Sequence, residues 1–193
     1  PTLVMLHGVS GSGEMVAPFA QKIIPTGWDL FCPNAETPHH KRGFSWWKLD
    51  DMEDASRARG NGSHSYDSLD RAVHSLANVL PTGDLYICGF SQGGAMAMEM
   101  LSTSIATRIK GLILLGTRVL RPLELRQSIA DSEGVMCWMH GAEDKIIDLE
   151  EAREIPQIFE DAGWNVKRLE HEKGHMVPFA LQDDLKAWLA HLK

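Results

Sequence analysis

The chain has 193 residues, 44% hydrophobic and 23% charged, a mix that suits one globular unit large enough for a sizeable core. Its net charge of −7 at neutral pH argues against a nucleic-acid backbone or an anionic membrane surface as main partner. No run is long and apolar enough to span a bilayer, and residues 1–8 lack the basic flank of a secretory leader. Stable membrane insertion is therefore not expected, and a cytoplasmic setting is. Cys32, Cys88 and Cys137 are odd in number and lack metal-site spacing, so they read as buried thiols of a reducing compartment.

Residues 2–7, 29–34, 84–90, 111–116 and 135–140 are short, near-continuous apolar runs, as in parallel strands covered on both faces. Residues 165–171 alternate instead, as an edge strand does. Between them run helical patterns. Val16, Phe19, Ala20 and Ile23 line one face, and Leu69, Val73, Leu76 and Leu80 another. Asp148 with Glu151 predicts an N-cap, and Pro156 a kink in the helix that follows. Leu181, Leu185, Trp188 and Leu192 mark a last helix. This alternation predicts an α/β fold, a mostly parallel sheet with helices on both faces, in a single domain over 1–193. Residues 33–65 show neither period and read as a long loop or lid insertion, of a length that is usually functional or disordered.

Residues 7–15, HGVSGSGEM, have the glycine spacing of a phosphate loop at Gly8 and Gly13. Glu14 and Met15 stand where that loop needs a lysine and a hydroxyl, so a different oxyanion is the expected guest.

The most specific signal is Gly89-Phe90-Ser91-Gln92-Gly93, a G-x-S-x-G between a strand and a helix. That turn holds a serine oxygen above the sheet edge as a nucleophile. A serine hydroxyl needs a base, and the base an orienting acid. Asp144, just after the strand at 135–140, is the candidate acid. Glu143 and Asp148 are rivals, Asp148 being better explained as a cap. His175, in the loop before the last helix, is the candidate base, with His171 as competitor at the strand terminus. Gln92 N–H is one expected oxyanion donor, and Val9 N–H the other, with Ser10 N–H as second choice.

At these residues the chain resembles the α/β-hydrolase superfamily. Within it, it is similar to the carboxylesterase/acyl-protein thioesterase/lysophospholipase family. LHGVSGSG at 6–13 resembles that family's L-H-G-x-G-x-x-G loop, and GFSQGGAMA at 89–97 its nucleophile segment. HGAEDKIID at 140–148 resembles its H-G-x-x-D-x-x-V acid loop, and GHMV at 174–177 its histidine loop. The family's usual strands before L-H-G are missing here, so a reduced sheet of about six strands is expected. Ser10 replaces a glycine. Lys48 stands where the family's Trp-aromatic-Asp element carries aspartate.

The resemblance implies a serine hydrolase that cleaves carboxylic esters of short to medium acyl groups through an acyl-enzyme. The alternative is an acyl-protein thioesterase or lysophospholipase acting on long chains. A non-catalytic ligand receptor on a hydrolase fold is a further reading, disfavoured because all three triad candidates are present. The substrate is then a small-molecule ester or thioester, and neither metal nor cofactor is needed. A monomer or homodimer would suffice. Phe44, Trp46, Trp47 and Ser10 are the candidate substrate contacts. The two tryptophans, expected near the surface, would either wall the acyl site or fill a gap beside the sheet.

Overall fold

The computed structural model describes residues 1–47 and 66–192. In chain order its elements begin with β1 (Thr2–Leu6), α1 (Gly13–Ile23), β2 (Asp29–Phe31), β3 (Thr37–Pro38), β4 (Phe44–Ser45) and α2 (Asp67–Val79). There follow β5 (Leu85–Phe90), α3 (Gln92–Glu99), β6 (Ile109–Leu115), α4 (Pro122–Ile129) and β7 (Val135–Gly141). The chain continues through α5 (Leu149–Ala152), α6 (Glu154–Asp161), β8 (Asn165–His171) and α7 (Gln182–Ala190).

All the predicted strands join one sheet, in the order β2-β1-β5-β6-β7-β8, and every pairing in it is parallel. The near-continuous apolar runs explain this, because successive side chains point to opposite faces and both faces are covered. Val4, Ile87, Leu112, Leu114 and Trp138 face one core, closed by α2, α3, α4 and α6. Leu3, Met5, Ile113, Leu115 and Met139 face the other, closed by α1 and α7. Each fully buried Leu, Ile or Met contributes about 1.5–3 kcal/mol. The alternating β8 is indeed an edge, and its outer face carries Arg168 paired with Glu160 and Glu170 paired with Arg153.

The strand order positions the site. From β1 the chain steps outward to β2, then returns to place β5 on β1's other side. The crevice at the C-terminal ends of β1 and β5 is therefore the topological switch point, where open α/β sheets bind ligands. The turns that leave β1 and β5 carry the two glycine-rich motifs.

Local signals explain several boundaries. Asp148 caps α5 by accepting from Glu150 N–H at 2.9 Å and Glu151 N–H at 3.4 Å. The helical stretch breaks at Arg153, because the Pro156 ring would clash with the carbonyl four residues earlier, at Ala152. A partly buried cross-link ties α2 to α3. Arg121 Nε donates to Glu99 Oε2 at 2.8 Å, and its Nη1 to Asp70 Oδ1 at 2.9 Å.

Some expectations need correction. β6 begins at Ile109 rather than Gly111, and α4 was not foreseen. The stretch 33–47 holds the β3–β4 hairpin, whose two-residue strands are too short to show a period. Cys32 lies just past β2 and is only half-buried, because β2 ends at Phe31. Cys88 and Cys137 are buried, and burial pushes the Cys137 thiol up to about 12. Among the described residues no helix is long and apolar enough to cross a membrane.

Candidate active site

Ser91 occupies the turn between β5 and α3 with φ 54° and ψ −119°. A non-glycine residue at positive φ costs about 1–3 kcal/mol and is held only where its surroundings dictate it. Here they do. Ser91 N–H donates to Leu115 O at 2.9 Å. Its carbonyl accepts from Gly94 N–H at 3.0 Å, Ala95 N–H at 3.3 Å and the Thr117 hydroxyl at 2.8 Å. A Cβ at Gly89 would lie 2.2 Å from Gly93 O, so no side chain fits where strand meets helix. The only other non-glycine residue at positive φ among the described residues is Ser10, at 61°, in the loop after β1. A Cβ on Gly8 of that loop would lie 3.4 Å from Ser91 Cβ, so the two strained turns face each other.

Asp144 follows β7 and its side chain is 1% exposed. Oδ1 accepts from Ile146 N–H at 2.8 Å and Ile147 N–H at 3.0 Å, and Oδ2 lies 2.7 Å from His175 Nδ1. Burial alone would raise this carboxyl's pKa. The hydrogen bonds from Ile147, His175 and Ile146 together outweigh it and hold the pKa below the ordinary value. An ionised Asp144 is an acceptor only, so His175 Nδ1 carries the proton and Nε2 is left as the basic nitrogen. The imidazole ring packs against Phe90, the residue before Ser91, with centroids 4.9 Å apart.

The loop after β1 is braced from below by His7, which is fully buried. His7 Nε2 accepts from Ala35 N–H at 3.0 Å, so Nδ1 is protonated and donates to Gly8 O at 2.7 Å. Burial lowers its pKa, against the opposing pull of Gly8 O, and keeps it neutral. Gly11 O accepts from Phe44 N–H at 2.8 Å, which fastens the β3–β4 hairpin to this loop. Gly43, at φ 60°, allows it, since a Cβ there would lie 2.4 Å from Gly11 O. As the first residue of α3, Gln92 has no intrahelical acceptor for its N–H. Neither Val9 nor Ser10 N–H has a backbone acceptor among the described residues. Among the described residues, these three N–H groups of the turns after β1 and β5 thus have no backbone acceptor.

The structure therefore brings Ser91, His175, Asp144, Gln92, Val9 and Ser10 to one end of the sheet. Phe44 is half-buried beside Gly11. Trp46 and Trp47 are 4% and 5% exposed, which corrects the expectation that they lie near the surface. Trp46 stacks on His7 with ring centroids 5.0 Å apart and donates from Nε1 to His7 O at 2.8 Å. The Gln92 side chain holds both residues by their backbone, taking Trp46 N–H at 2.8 Å and giving to Trp47 O at 3.4 Å. Lys48 and the rest of the proposed lid, 48–65, lie outside the described residues. Sequence reasoning missed His7, Thr117 and the side-chain role of Gln92. A histidine at the apolar end of a strand was the available signal for the first.

A parallel α/β sheet with a serine on a strained strand–helix turn, facing an aspartate–histidine pair from later strand ends, defines the architecture of an α/β-hydrolase. The model of the serine hydrolase (FSH1) family matches residues 2–186, and the chain belongs to that family. It is similar to a probable carboxylesterase of Oryza sativa subsp. japonica, 23% identical over 99% of this chain and 77% of that one. It is also similar to acyl-protein thioesterase 1 of Cryptococcus neoformans var. neoformans, 25% identical over 76% of this chain and 67% of that one. Among solved structures, esterase PE8 superposes with a TM-score of 0.75 at 22% identity, over 100% of this chain and 92% of that one.

Proposed function

We propose that this serine hydrolase cleaves carboxylic esters of short to medium acyl groups through an acyl-enzyme on Ser91. His175 Nε2 takes the Ser91 proton as the oxygen attacks the acyl carbonyl, then delivers it to the leaving alcohol. Asp144 holds the imidazole and offsets its charge while it is protonated. Val9 and Gln92 N–H stabilise the tetrahedral oxyanion, each such donor being worth about 10²–10³ in rate. A water activated by His175 then releases the acid. The observation that carries this reading is the strained Ser91 turn beside a histidine whose Nδ1 is fixed on a buried carboxylate. A fluorophosphonate probe is expected to label the protein on the peptide carrying Ser91, read by mass spectrometry. Labelling elsewhere, or none, would overturn the assignment.

The acyl group is proposed to run past Ser10 and Phe44 toward Trp46 and Trp47. Trp46 also lines a cleft of about 160 Å³ beside α2, together with Leu76 and Ala72. Removing its ring joins space to the acyl site. Trp46→Ala is therefore expected to shift preference from acetate and butyrate esters toward longer chains, with Trp47→Ala doing so less. A chain-length series of p-nitrophenyl esters checks this, and an unchanged profile in both variants removes the wall.

The second reading, a thioesterase or lysophospholipase for long acyl groups, draws on the similarity to acyl-protein thioesterase 1. Comparing palmitate with butyrate esters, then an S-acylated peptide, separates the two. Residues 1–193 are proposed to act as one domain, as a monomer or homodimer, with 33–65 beside the site. The free, buried Cys88 and Cys137 support a reducing, cytoplasmic setting.

A further inference from the structure

A second histidine stands behind the Asp144–His175 pair. His140, on β7, is 0% exposed. Its Nε2 lies 3.0 Å from Ile147 O and 3.4 Å from Asp144 Oδ2. Both neighbours are acceptors, so Nε2 carries the proton and aims it between them. Its other nitrogen, Nδ1, is buried with no partner among the described residues. The ring is therefore held on its Nε2 side alone. What His140 supplies is the single N–H that faces the acid loop.

Two routes lead from that N–H to Asp144. The first passes through the backbone. Ile147 C=O is held by His140, while Ile147 N–H donates to Asp144 Oδ1 at 3.0 Å. The second is electrostatic, since the positive end of the N–H dipole faces the same Oδ2 that His175 uses. Trp138 fixes the His140 ring from below, stacked at 5.8 Å with only 7° between planes. From β8, His171 and Glu170 act on His140, and Asp144 faces it from the acid loop.

We infer that His140 is a positioning residue for catalysis, holding the Asp144 loop and moderating the carboxylate's charge, so that one carboxylate serves two histidines. This rests on the proposed roles of Ser91, Asp144 and His175. Asp144 oriented less well leaves His175 less well aimed, so the effect falls on kcat rather than on KM. Loss of the N–H also leaves Oδ2 a stronger partner for a charged His175. The acid limb of kcat/KM then moves to higher pH, a displacement that a purely structural role would not cause.

The test compares His140→Phe and His140→Gln with the parent on p-nitrophenyl acetate across pH. The glutamine amide can replace the Nε2–H, and phenylalanine cannot. His140→Phe is expected to lose about tenfold or more in kcat with KM within about threefold, and to raise the acid limb. His140→Gln is expected to recover most of kcat and return the limb toward the parent's. Parental kcat in His140→Phe, a glutamine variant no better than phenylalanine, or an unmoved limb each overturns the inference. If His140→Phe does not fold, His140→Asn, whose amide is too short to reach Ile147 O, takes its place. Ser91→Ala in the same assay separates the two layers. A fully active Ser91→Ala overturns the nucleophile itself, whereas an inactive one beside a fully active His140→Phe overturns only the role of His140.

Discussion

Ser91→Ala is expected to lower kcat/KM for p-nitrophenyl acetate by about 10⁴–10⁶, the range for removing the nucleophile of a serine triad. Asp144→Asn is expected to cost about 10⁴, because the amide can donate to His175 and favour the wrong tautomer. Both substitutions are nearly isosteric. Ser91 is held by its backbone, through Leu115, Gly94, Ala95 and Thr117, and none of those bonds uses its hydroxyl. The turn therefore survives the loss of the oxygen, and stopped hydrolysis with an unchanged melting temperature is the expected pair of readings. Asp144→Asn should also carry a pH signature in stability. The folded carboxyl sits below its ordinary value, so it stabilises the native state fully above the unfolded pKa of about 3.9. That contribution fades as pH falls through the lower folded value. The gap in melting temperature between parent and Asp144→Asn should then be constant near neutrality and narrow only at acid pH. A gap that narrows already at pH 6 would mean that Asp144 is not held ionised as its hydrogen bonds imply.

The sheet was legible because its signal is redundant. Five apolar runs and one alternating run make six strands, and the alternating one falls on the edge where half-burial predicts it. The Ser91 turn was legible because Gly89 and Gly93 have no steric alternative. Asp144 and His175 could be read from their place after successive strands, though only the fold brings them 2.7 Å apart. What stayed hidden depends on non-local contacts. Nothing in the sequence around Trp46 says that its backbone N–H will meet Gln92, 46 positions later. The burial of both tryptophans follows from that bond and from the His7 stack, and neither leaves a periodic trace. His140 stayed hidden for a related reason. Its partner Ile147 lies seven positions on, in the acid loop, and that loop must first close around Asp144 for the pairing to exist.

Gly93→Ala is expected to damage stability and catalysis together, and for one geometric reason. A Cβ at Gly93 would stand 2.3 Å from Leu6 O and 2.7 Å from His7 O. Both are backbone atoms of the strand end that launches the loop after β1, so no flexible side chain can yield. Relief requires the start of α3 to move away from β1. Overpacking of this kind costs about 1–3 kcal/mol, which lowers the melting temperature by roughly 2–12 °C for a chain of this size. The same movement separates Gln92 N–H from Val9 N–H, the two groups proposed to hold one oxyanion. A misplacement of about 1 Å can cost about 10² in rate, so activity should fall by that order even where the protein is fully folded. Gly27→Ala supplies the contrast. Gly27 has φ 87°, but a Cβ there meets nothing within 4 Å. It should lose about 1–2 kcal/mol to backbone strain alone and keep the parental kcat. If the two variants lose stability equally and both keep full activity, the spacing between α3 and β1 does not set the oxyanion geometry. If Gly93→Ala alone loses turnover while folded, the close approach of helix and strand at Gly93 is itself part of the catalytic apparatus.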